Sequence, residues 1–408
     1  MVDLPADPRP TDVRPMLDLI TADDPPELTA VRAGVVLAAR LTPARPGAGL
    51  PELHPDATYL VTGGLGAVGR HLTAELVARG ARHLLIIGRR PRAALPDPAT
   101  GFLAELAAQG VDVHYRGDGC DTAVDLAAAC APLAGLPPVR GILHLAGTVT
   151  SAAPADLDPA AFAAAAAAKA GGAWLLHRAA VDWPLDFFVL VSSVSALWGS
   201  KGHAAYAAAN GALDLLAAYR RGQGLPATSV AYGPWALDGE GMADRATRER
   251  AERTGIGAMG AAEARSALAV AVPGAAGHVI ACRADLVRLG RVLPRLRAGL
   301  LAGHAEPVTG TAAGPVSGTT AGPVAPPAPV DAATVRDTVA HLLAVQLGYD
   351  GAADIRPDMG FADLGLDSIN AVDLAERLTA RLGRAVPVTA LFDHPSVAEL
   401  TAYLTGAS

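Results

Sequence analysis

Short apolar runs alternate with longer helical patterns between residues 58 and 285. Each run has the length and composition of a buried strand, and the stretches between them repeat apolar residues every three or four positions. This alternation predicts an α/β domain, in which a doubly wound parallel sheet is covered by helices on both faces. The predicted strands are Thr58–Thr62, His83–Gly88, Val111–Tyr115, Gly141–Leu145, Phe187–Ser192, Thr228–Ala231 and His278–Ala281.

The pattern changes after residue 303. Residues 304–330 are rich in proline, glycine, alanine and threonine, repeat AGPV and have no periodic apolar face, so we expect a linker. As an unstructured chain, a linker of this length has a root-mean-square reach of roughly 25–30 Å. Asp331 and Ser396 are candidate helix N-caps, and Gly383 is a candidate helix stop. Three segments have helical apolar spacing and predict a small all-α bundle over 331–408: Val335–Leu347, Ser368–Leu382 and Val397–Leu404.

The first 55 residues fit neither pattern. Residues 27–41 predict a β-hairpin that turns at Ala33 and Gly34, with too little apolar sequence around it for an independent core. We therefore expect this segment to pack on another unit. The predicted division of the chain is 1–55, 56–303, 304–330 and 331–408.

Composition narrows the possible functions. Hydrophobic residues make up 51% of the chain but aromatic residues only 4%, so the cores must consist mainly of Leu, Val and Ala. A net charge of −7 argues against nucleic acid or anionic lipid as a partner. Cys120, Cys130 and Cys282 are odd in number and lack metal-ligand spacing, which favours reduced thiols in the cytoplasm and no metal site. The acidic, proline-rich N-terminus has no secretory signal pattern, and no apolar run is long enough to span a membrane.

A glycine-rich turn, TGGLGAVG, directly follows the first predicted strand and leads into a helical pattern. Glycines let the backbone approach a pyrophosphate, and the following helix N-terminus offers free N–H donors. The alternative is a tight strand-to-helix connection without a ligand. We expect nucleotide binding, with six contacts from Thr62, Gly63, Gly64, Leu65, Gly66 and Gly69.

Two arginines, Arg89 and Arg90, end the second predicted strand. A protein that prefers NADH would place an acidic ribose ligand there, whereas a guanidinium matches the 2′-phosphate of NADPH. Two solvated arginines at a strand end are the alternative interpretation. The pair predicts NADPH as the cofactor.

A second constellation lies around Tyr206. Ser193 ends the fifth predicted strand, Asn210 follows Tyr206 by one helical turn, and Lys169 is one of only two lysines in the chain, the other being Lys201. A phenol can donate a proton to a carbonyl oxygen during hydride addition, and a serine hydroxyl can hold that oxygen. We expect the Lys169 ammonium to lower the tyrosine pKa from its unperturbed value near ~10. Taken singly, each residue could be structural, and the joint spacing favours catalysis.

Ser368 stands in LGLDSINAVDL, between an acidic loop and an amphipathic helix pattern. An exposed serine at a helix start suits enzymatic attachment of a 4′-phosphopantetheine arm, and the alternative is an ordinary N-cap. The acidic residues around it suit basic docking surfaces on partners, including a phosphopantetheinyl transferase. They are Asp363, Asp367, Asp373 and Glu376.

Residues 58 to about 285 resemble the catalytic half of a ketoreductase domain from a type I polyketide synthase, a Rossmann-like branch of the short-chain dehydrogenase/reductase family. The matching stretches are TGGLGAVG, GILHLAGT, KAGGAW, VSSVSALWGSKGHAAYAAAN and SVAYGPWA. Residues 331–405 resemble an acyl carrier domain. The resemblance adds three cofactor contacts: Asp118 at the adenine, with Ala146 and Gly147.

The resemblance implies a reaction. Tyr206 would donate the proton, Ser193 would bind the carbonyl, and Lys169 and Asn210 would organise the tyrosine and its proton relay. The pro-S hydride of NADPH would attack the β-carbonyl of a carrier-bound 3-ketoacyl group.

Stereocontrol is also implied by the family. Val149, Thr150 and Ser151 replace the Leu-Asp-Asp typical of D-hydroxyl producers, Trp198 marks the L-hydroxyl group, and His203 resembles variants that accept an epimerised α-substituent. A packed loop aromatic is the alternative for Trp198. Met242, within the charged segment 238–260 that we expect to form a mobile lid, is a further candidate substrate contact.

Family members place a larger structural half before the catalytic half, and MVDLPADP resembles the middle of that half. We therefore expect a fragment or a split polypeptide, with upstream synthase domains and the missing half as partners. Two other interpretations stay open. One is a carrier and scaffold segment with a silent reductase, and the other is a free-standing reductase of small alcohols.

Overall fold

The computed structural model describes most of the chain outside the segment 304–330. The described residues are 2–3, 9–22, 28–43, 52–149, 151–152, 156–200, 202–237, 251–271, 277–293, 296, 299–303, 331–347, 349, 351–366 and 368–406. They form two compact units, the first comprising Met1–Thr42, Glu249–Ile256 and Ala284–Ser408, and the second Pro43–Arg248 and Gly257–Arg283.

The second unit is built on a seven-stranded sheet in which every neighbouring pair is parallel. Its strands are β4 (Thr58–Thr62), β5 (His83–Ile87), β6 (Asp112–Arg116), β7 (Val139–His144), β8 (Phe187–Ser193), β9 (Thr228–Tyr232) and β11 (His278–Ala281). Their order is β11-β9-β8-β7-β4-β5-β6, which confirms the doubly wound Rossmann-like sheet. The order reverses between β4 and β7, and sheets of this kind bind ligands at the carboxyl ends of the strands beside that reversal.

Helices cover both faces of the sheet. Alternate residues of β4 explain why, because Tyr59 and Val61 join one buried cluster while Leu60 joins the other. The first cluster packs against α2 (Ala67–Ala78), α3 (Asp97–Ala108) and α9 (Ala261–Ala271). The second packs against α4 (Ala123–Cys130), α6 (Gly172–Ala179) and α8 (Ala204–Gly222).

Two further helices of this unit contact α8. They are α5 (Pro159–Ala166) and the short α7 (Ser195–Trp198). A five-residue π-helix, Ala167–Gly171, joins α5 to α6. Short 3₁₀ turns occupy Arg92–Ala94 and Ala131–Gly135.

The first unit begins with a small sheet formed by β1 (Val2–Asp3), β2 (Thr29–Arg32) and β3 (Val35–Ala38), with α1 (Pro10–Ile20) beside it. The antiparallel pair β2–β3 turns at Ala33 and Gly34, both with positive φ, which confirms the predicted hairpin. The backbone N–H of Gly34 donates to the Asp12 carboxylate at 2.7 Å and so ties the turn to α1. The remaining short elements are β10 (Ile256–Gly257), β12 (Arg283–Ala284) and α10 (Leu286–Val292).

The C-terminal residues form a helical bundle with its own buried cluster of Leu, Val and Ala side chains. Its helices are α11 (Ala332–Leu347), α12 (Phe361–Leu364), α13 (Ser368–Leu382), α14 (Val388–Asp393) and α15 (Val397–Thr405), with a 3₁₀ turn at Ala352–Asp354. The three predicted long helices are confirmed. Asp331 and Ser396 accept hydrogen bonds from the backbones of Thr334 and Glu399, and Gly383 has φ +65°, as expected for caps and a stop.

Among the described residues, no helix combines the length and the apolar content that crossing a membrane requires.

Candidate active site

The glycine-rich turn joins the carboxyl end of β4 to the start of α2. Gly63 has φ +70°, and a Cβ there would lie 3.0 Å from the Ala146 nitrogen. A Cβ on Gly69 would lie 2.1 Å from the Gly63 carbonyl oxygen, so only glycine lets helix and turn pack this closely. The N-cap of α2 is Gly66, which has no side chain to satisfy the first N–H groups. The turn therefore presents unblocked backbone donors at a positive helix end.

The neighbouring strand ends bring charged side chains to the same edge of the sheet. Arg89 and Arg90 follow β5 after Gly88 and are exposed. The Tyr115 hydroxyl donates to the Arg90 carbonyl oxygen at 2.6 Å and fixes this segment. Asp118, the predicted adenine contact, accepts a hydrogen bond from Arg116 Nε at 2.9 Å. The arginines are thus available to an anion, while the Asp118 carboxylate already has a cationic partner.

Three elements converge on Tyr206. It lies in the first turn of α8, Ser193 ends β8, and Asn210 follows one turn later on α8. The side chains of Ser193 and Asn210 both lie close enough to the Tyr206 phenol to lower its pKa. The Asn210 amide also donates to the Tyr206 carbonyl oxygen at 2.8 Å.

Lys169 reaches this group from the middle of the π-helix. Its Nζ donates to the Val191 carbonyl oxygen at 3.0 Å and lies 6.0 Å from the centroid of the Tyr206 ring. A Cβ on Gly147 would lie 2.6 Å from the lysine Cε, so the glycine makes room for the lysine stem. The structure therefore brings together all four residues that the sequence analysis placed in one site.

Burial shifts the pKa values of Lys169 and Tyr206 in opposite directions. The pKa of Lys169 is lowered to about 8, because burial disfavours the ammonium, although the Asp214 carboxylate partly offsets that effect. The pKa of Tyr206 is raised by burial, and the nearby side chains of Ser193 and Asn210 only partly oppose this. The prediction that the Tyr206 pKa falls is therefore wrong in direction, because desolvation of the phenolate dominates its environment.

Comparison with known proteins shows the family to which this chain belongs. A family model described as KR domain matches residues 57–237, and one described as phosphopantetheine attachment site matches residues 334–404. The solved PlmKR1 ketoreductase, from the first module of phoslactomycin biosynthesis in Streptomyces sp. HK803, is 31% identical with a TM-score of 0.61. That match covers 73% of this chain and 68% of PlmKR1. The chain belongs to the type I polyketide synthase family.

Two further relatives extend the match. Polyketide synthase GfsB of Streptomyces halstedii is 37% identical over 390 residues, which cover 92% of this chain and 7% of GfsB. A solved structure of A-type ketoreductases from a modular polyketide synthase is 34% identical with a TM-score of 0.66, covering 74% of this chain and 63% of that one. This chain thus corresponds to a small part of its curated synthase relative, namely a ketoreductase domain and a carrier domain.

The predicted stereocontrol residues of the ketoreductase domain occupy two facing segments. Trp198 ends α7 and is buried, and the imidazole of His203 hydrogen-bonds the Ser200 hydroxyl at 3.1 Å. The Ala152 N–H donates to the Gly202 carbonyl oxygen at 2.9 Å, which joins the segment after Val149 to the segment that holds His203. Met242 and Thr150 lie outside the described residues.

Three residues that the sequence analysis missed contact the candidate catalytic residues or their neighbours. Ser195 donates to Ser193 Oγ through both its N–H, at 3.2 Å, and its hydroxyl, at 3.0 Å. Asp214, one turn beyond Asn210, accepts from the Ser229 hydroxyl at 2.5 Å. His144, at the end of β7, contacts the backbone of Lys169. The sequence shows Asp214 and His144 only as single polar residues among apolar ones. No characteristic spacing links either of them to the other site residues, so the sequence did not predict their roles.

In the carrier domain, Ser368 is the first residue of α13. Its side chain lies outside the described part of the structure. Of the acidic residues predicted around it, Asp363 is exposed on α12.

Proposed function

We propose that this chain reduces a 3-ketoacyl thioester, held on 4′-phosphopantetheine at Ser368, to the 3-hydroxyacyl thioester with NADPH. The observation that carries the proposal is the convergence of Ser193, Asn210 and Lys169 on the Tyr206 phenol. That group lies at the carboxyl edge of the sheet, the edge to which the glycine-rich turn also belongs.

The residues at this edge fit a dinucleotide. The close approach of Gly63 to Ala146 and of Gly69 to Gly63 leaves a cradle without side chains, and Gly66 leaves the first N–H groups of α2 uncapped. The exposed guanidinium groups of Arg89 and Arg90 suit a 2′-phosphate, which favours NADPH over NADH. When bound, NADPH supplies the hydride.

The raised pKa of Tyr206 suits a proton donor. Burial keeps the phenol in its acid form at neutral pH, and the ammonium of Lys169 would stabilise the phenolate left after proton transfer. Ser193 Oγ accepts two hydrogen bonds from Ser195, so its own proton is left to donate to a substrate carbonyl. Asn210 Oδ1 is buried and has no hydrogen-bond partner among the described residues, which leaves an acceptor for a proton relay.

The product we propose is the L-hydroxyl. The absence of Leu-Asp-Asp at residues 149–151 and the presence of Trp198 support it. Trp198 is buried at the end of α7, five residues before His203, and Ala152 hydrogen-bonds to Gly202 in the segment between them.

The partners we propose follow from the carrier domain. A phosphopantetheinyl transferase would modify Ser368, and upstream synthase domains would load the tethered substrate. We keep the division into residues 1–55, 56–303, 304–330 and 331–408, with the first segment belonging to the structural half of the ketoreductase, which upstream sequence would complete. Acyl transfer to the arm and reduction of the β-carbonyl would then occur on one polypeptide.

The experiment measures NADPH oxidation by the purified chain with a small ketone surrogate. We expect Tyr206→Phe to lower kcat on the order of 10²–10⁴-fold. The matched control is Tyr219→Phe, because Tyr219 is an exposed tyrosine on the same helix, and we expect its kcat to stay within about twofold of the unmodified chain. Equal rates for the two variants would contradict the proposal. NADPH binding without oxidation would instead support a silent reductase beside an active carrier.

A further inference from the structure

His144 is a buried imidazole to which the proposed mechanism gives no role. It ends β7 at the point where the strand order reverses, and its relative exposure is 0%. A buried polar group must find hydrogen-bond partners or cost stability. Both ring nitrogens of His144 do find partners, and the partners belong to two different parts of the active site.

One nitrogen contacts the backbone of the proposed catalytic lysine. His144 Nε2 lies 2.9 Å from the Lys169 carbonyl oxygen. The other, Nδ1, lies 2.8 Å from the hydroxyl of Thr62, the first residue of the glycine-rich turn. The Ala146 N–H in turn donates to the same hydroxyl at 3.2 Å.

The chemistry of these groups fixes the direction of each hydrogen bond. A carbonyl oxygen only accepts, so the proton of the ring must be on Nε2. Nδ1 then carries a lone pair and accepts from the Thr62 hydroxyl, whose oxygen remains able to accept from Ala146. Burial, together with the charge of Lys169, lowers the pKa of His144 to about 3, so the ring stays neutral and this arrangement persists at neutral pH.

The Lys169 backbone needs such an anchor because it lies in a π-helix. The π-helix Ala167–Gly171 interrupts the regular pattern between α5 and α6, and single π turns are energetically poor and concentrate at functional sites. The next residue, Gly172, leaves room for the imidazole, because a Cβ there would lie 3.4 Å from His144 Cε1. The same Cβ would lie 2.8 Å from Cys120 Sγ, so the turn tolerates little displacement.

We propose that His144 is a positioning residue, which holds the π-helical turn of Lys169 through its carbonyl group and couples that turn to the glycine-rich loop through Thr62. Its effect on catalysis depends on the proposed function, whereas its effect on the position of Lys169 does not. The first test therefore observes Lys169 directly and needs no turnover.

The chain has only two lysines, Lys169 and Lys201, which makes that observation simple. In a Lys201→Arg background with ¹³C at the lysine ε-carbon, the NMR spectrum contains a single lysine resonance. We expect His144→Phe, which keeps a planar ring but removes both hydrogen bonds, to shift or broaden that resonance. The matched control is His177→Phe, because His177 is also buried but bonds to Arg220 and not to the π-helix.

Kinetics give the second test. With circular dichroism confirming the fold, we expect His144→Phe to lower kcat on the order of 10²-fold with a smaller change in KM, since displacement of a catalytic group by about 1 Å has that effect. His144→Asn replaces it if the phenylalanine variant does not fold. Thr62→Val removes the hydrogen bond between Thr62 and His144, and we expect it to shift the Lys169 resonance in the same direction.

The proposal is overturned if the Lys169 resonance of the folded His144 variant matches that of the unmodified chain. If the unmodified chain reduces ketones, the proposal is also overturned when kcat of His144→Phe falls no further than kcat of His177→Phe. A shifted resonance in a chain that never reduces ketones would support the positioning role and refute the proposed function, so the two claims fail separately.

Discussion

At the residue scale, Lys169 shows how the site balances burial against charge. The side chain is 3% exposed, and its pKa of about 8 leaves it mostly protonated at neutral pH. Its ammonium donates to the Val191 carbonyl oxygen and lies near the Tyr206 ring, so the positive charge is placed where a phenolate would form. A small loss of compensating charge would deprotonate it.

Asp214 supplies that compensating charge. Its carboxylate accepts from the Ser229 hydroxyl, lies 3.5 Å from His278 Nε2, and raises the pKa of Lys169. We predict that Asp214→Asn lowers the pH above which kcat declines, because Lys169 loses its proton earlier. The measurement is kcat from pH 6 to 10, with Asp186→Asn, a change in a surface ion pair with Arg140, as the control. If kcat depends on pH in the same way in Asp214→Asn and Asp186→Asn, Asp214 does not maintain the charge of Lys169.

Burial of Lys169 should also make the free energy of unfolding depend on pH. Its pKa is lowered from 10.5 to about 8 on folding, so between these values the unfolded chain binds more protons than the folded one. Stability contributed by this group therefore rises across that pH window, by up to about 3 kcal/mol. We predict that Lys169→Met is the more stable chain at pH 7 and that its advantage shrinks towards pH 10. Urea unfolding of both chains across this range measures it, and a constant difference would contradict the lowered pKa.

A helical turn and a strand end made it possible to place Tyr206, Ser193 and Asn210 together from the sequence. Lys169 was added as the available cation and through the resemblance to ketoreductases. The sequence could not give the direction of the Tyr206 pKa shift. That shift depends on how much protein surrounds the phenol, and no local pattern encodes burial at the end of a sheet. The supporting contacts of His144 and Asp214 join strands far apart in the chain, so they had no spacing signal either.

At the element scale, the connection between β4 and α2 depends on the absence of side chains. We predict that Gly69→Ala weakens NADPH binding at least about tenfold, equivalent to ~1.4 kcal/mol, since the new methyl group would collide with the Gly63 carbonyl. Gly101→Ala is the control, because a Cβ there meets nothing within 4 Å and the residue lies inside α3. It should leave binding unchanged and stabilise the chain by roughly 0.5–1 kcal/mol. Fluorescence titration with NADPH and thermal unfolding distinguish the two, and equal affinities would contradict the packing argument.

The inner strands β4 and β8 were predictable because each is a nearly continuous apolar run, as expected for strands buried on both faces. The edge strand β6 is more polar and half-buried, and its place in the alternation of strands and helices predicted it. The strand ends differ by one or two residues, as for β6 (Asp112–Arg116), since strand limits depend on neighbouring strands. The helices α12 and α14 were not predicted, because four and six residues are too few to show helical periodicity. The π-helix was not predicted either, since its alanine-rich sequence resembles an ordinary helix.

At the scale of the whole molecule, the proposal makes reduction an intramolecular event. A tethered ketone has an effective concentration on the order of millimolar, so weak recognition suffices. We predict that a loaded chain is reduced at a rate independent of protein concentration. Loaded Tyr206→Phe mixed with Ser368→Ala should instead react more slowly, at a rate proportional to the concentration of Ser368→Ala. Quenched-flow sampling measures both, and equal rates at low micromolar concentration would contradict the advantage of the tether.

The most direct test of the central claim is a single turnover followed by mass spectrometry. The phosphopantetheinylated chain is loaded with a 3-ketoacyl group at Ser368 and mixed with NADPH. The mass of the acyl-phosphopantetheine arm is then measured. The proposed function predicts a gain of two hydrogen atoms on the arm of the unmodified chain and no gain in the same time for Tyr206→Phe. An unchanged mass on the unmodified chain with NADPH bound, or an equal gain in both chains, would contradict it.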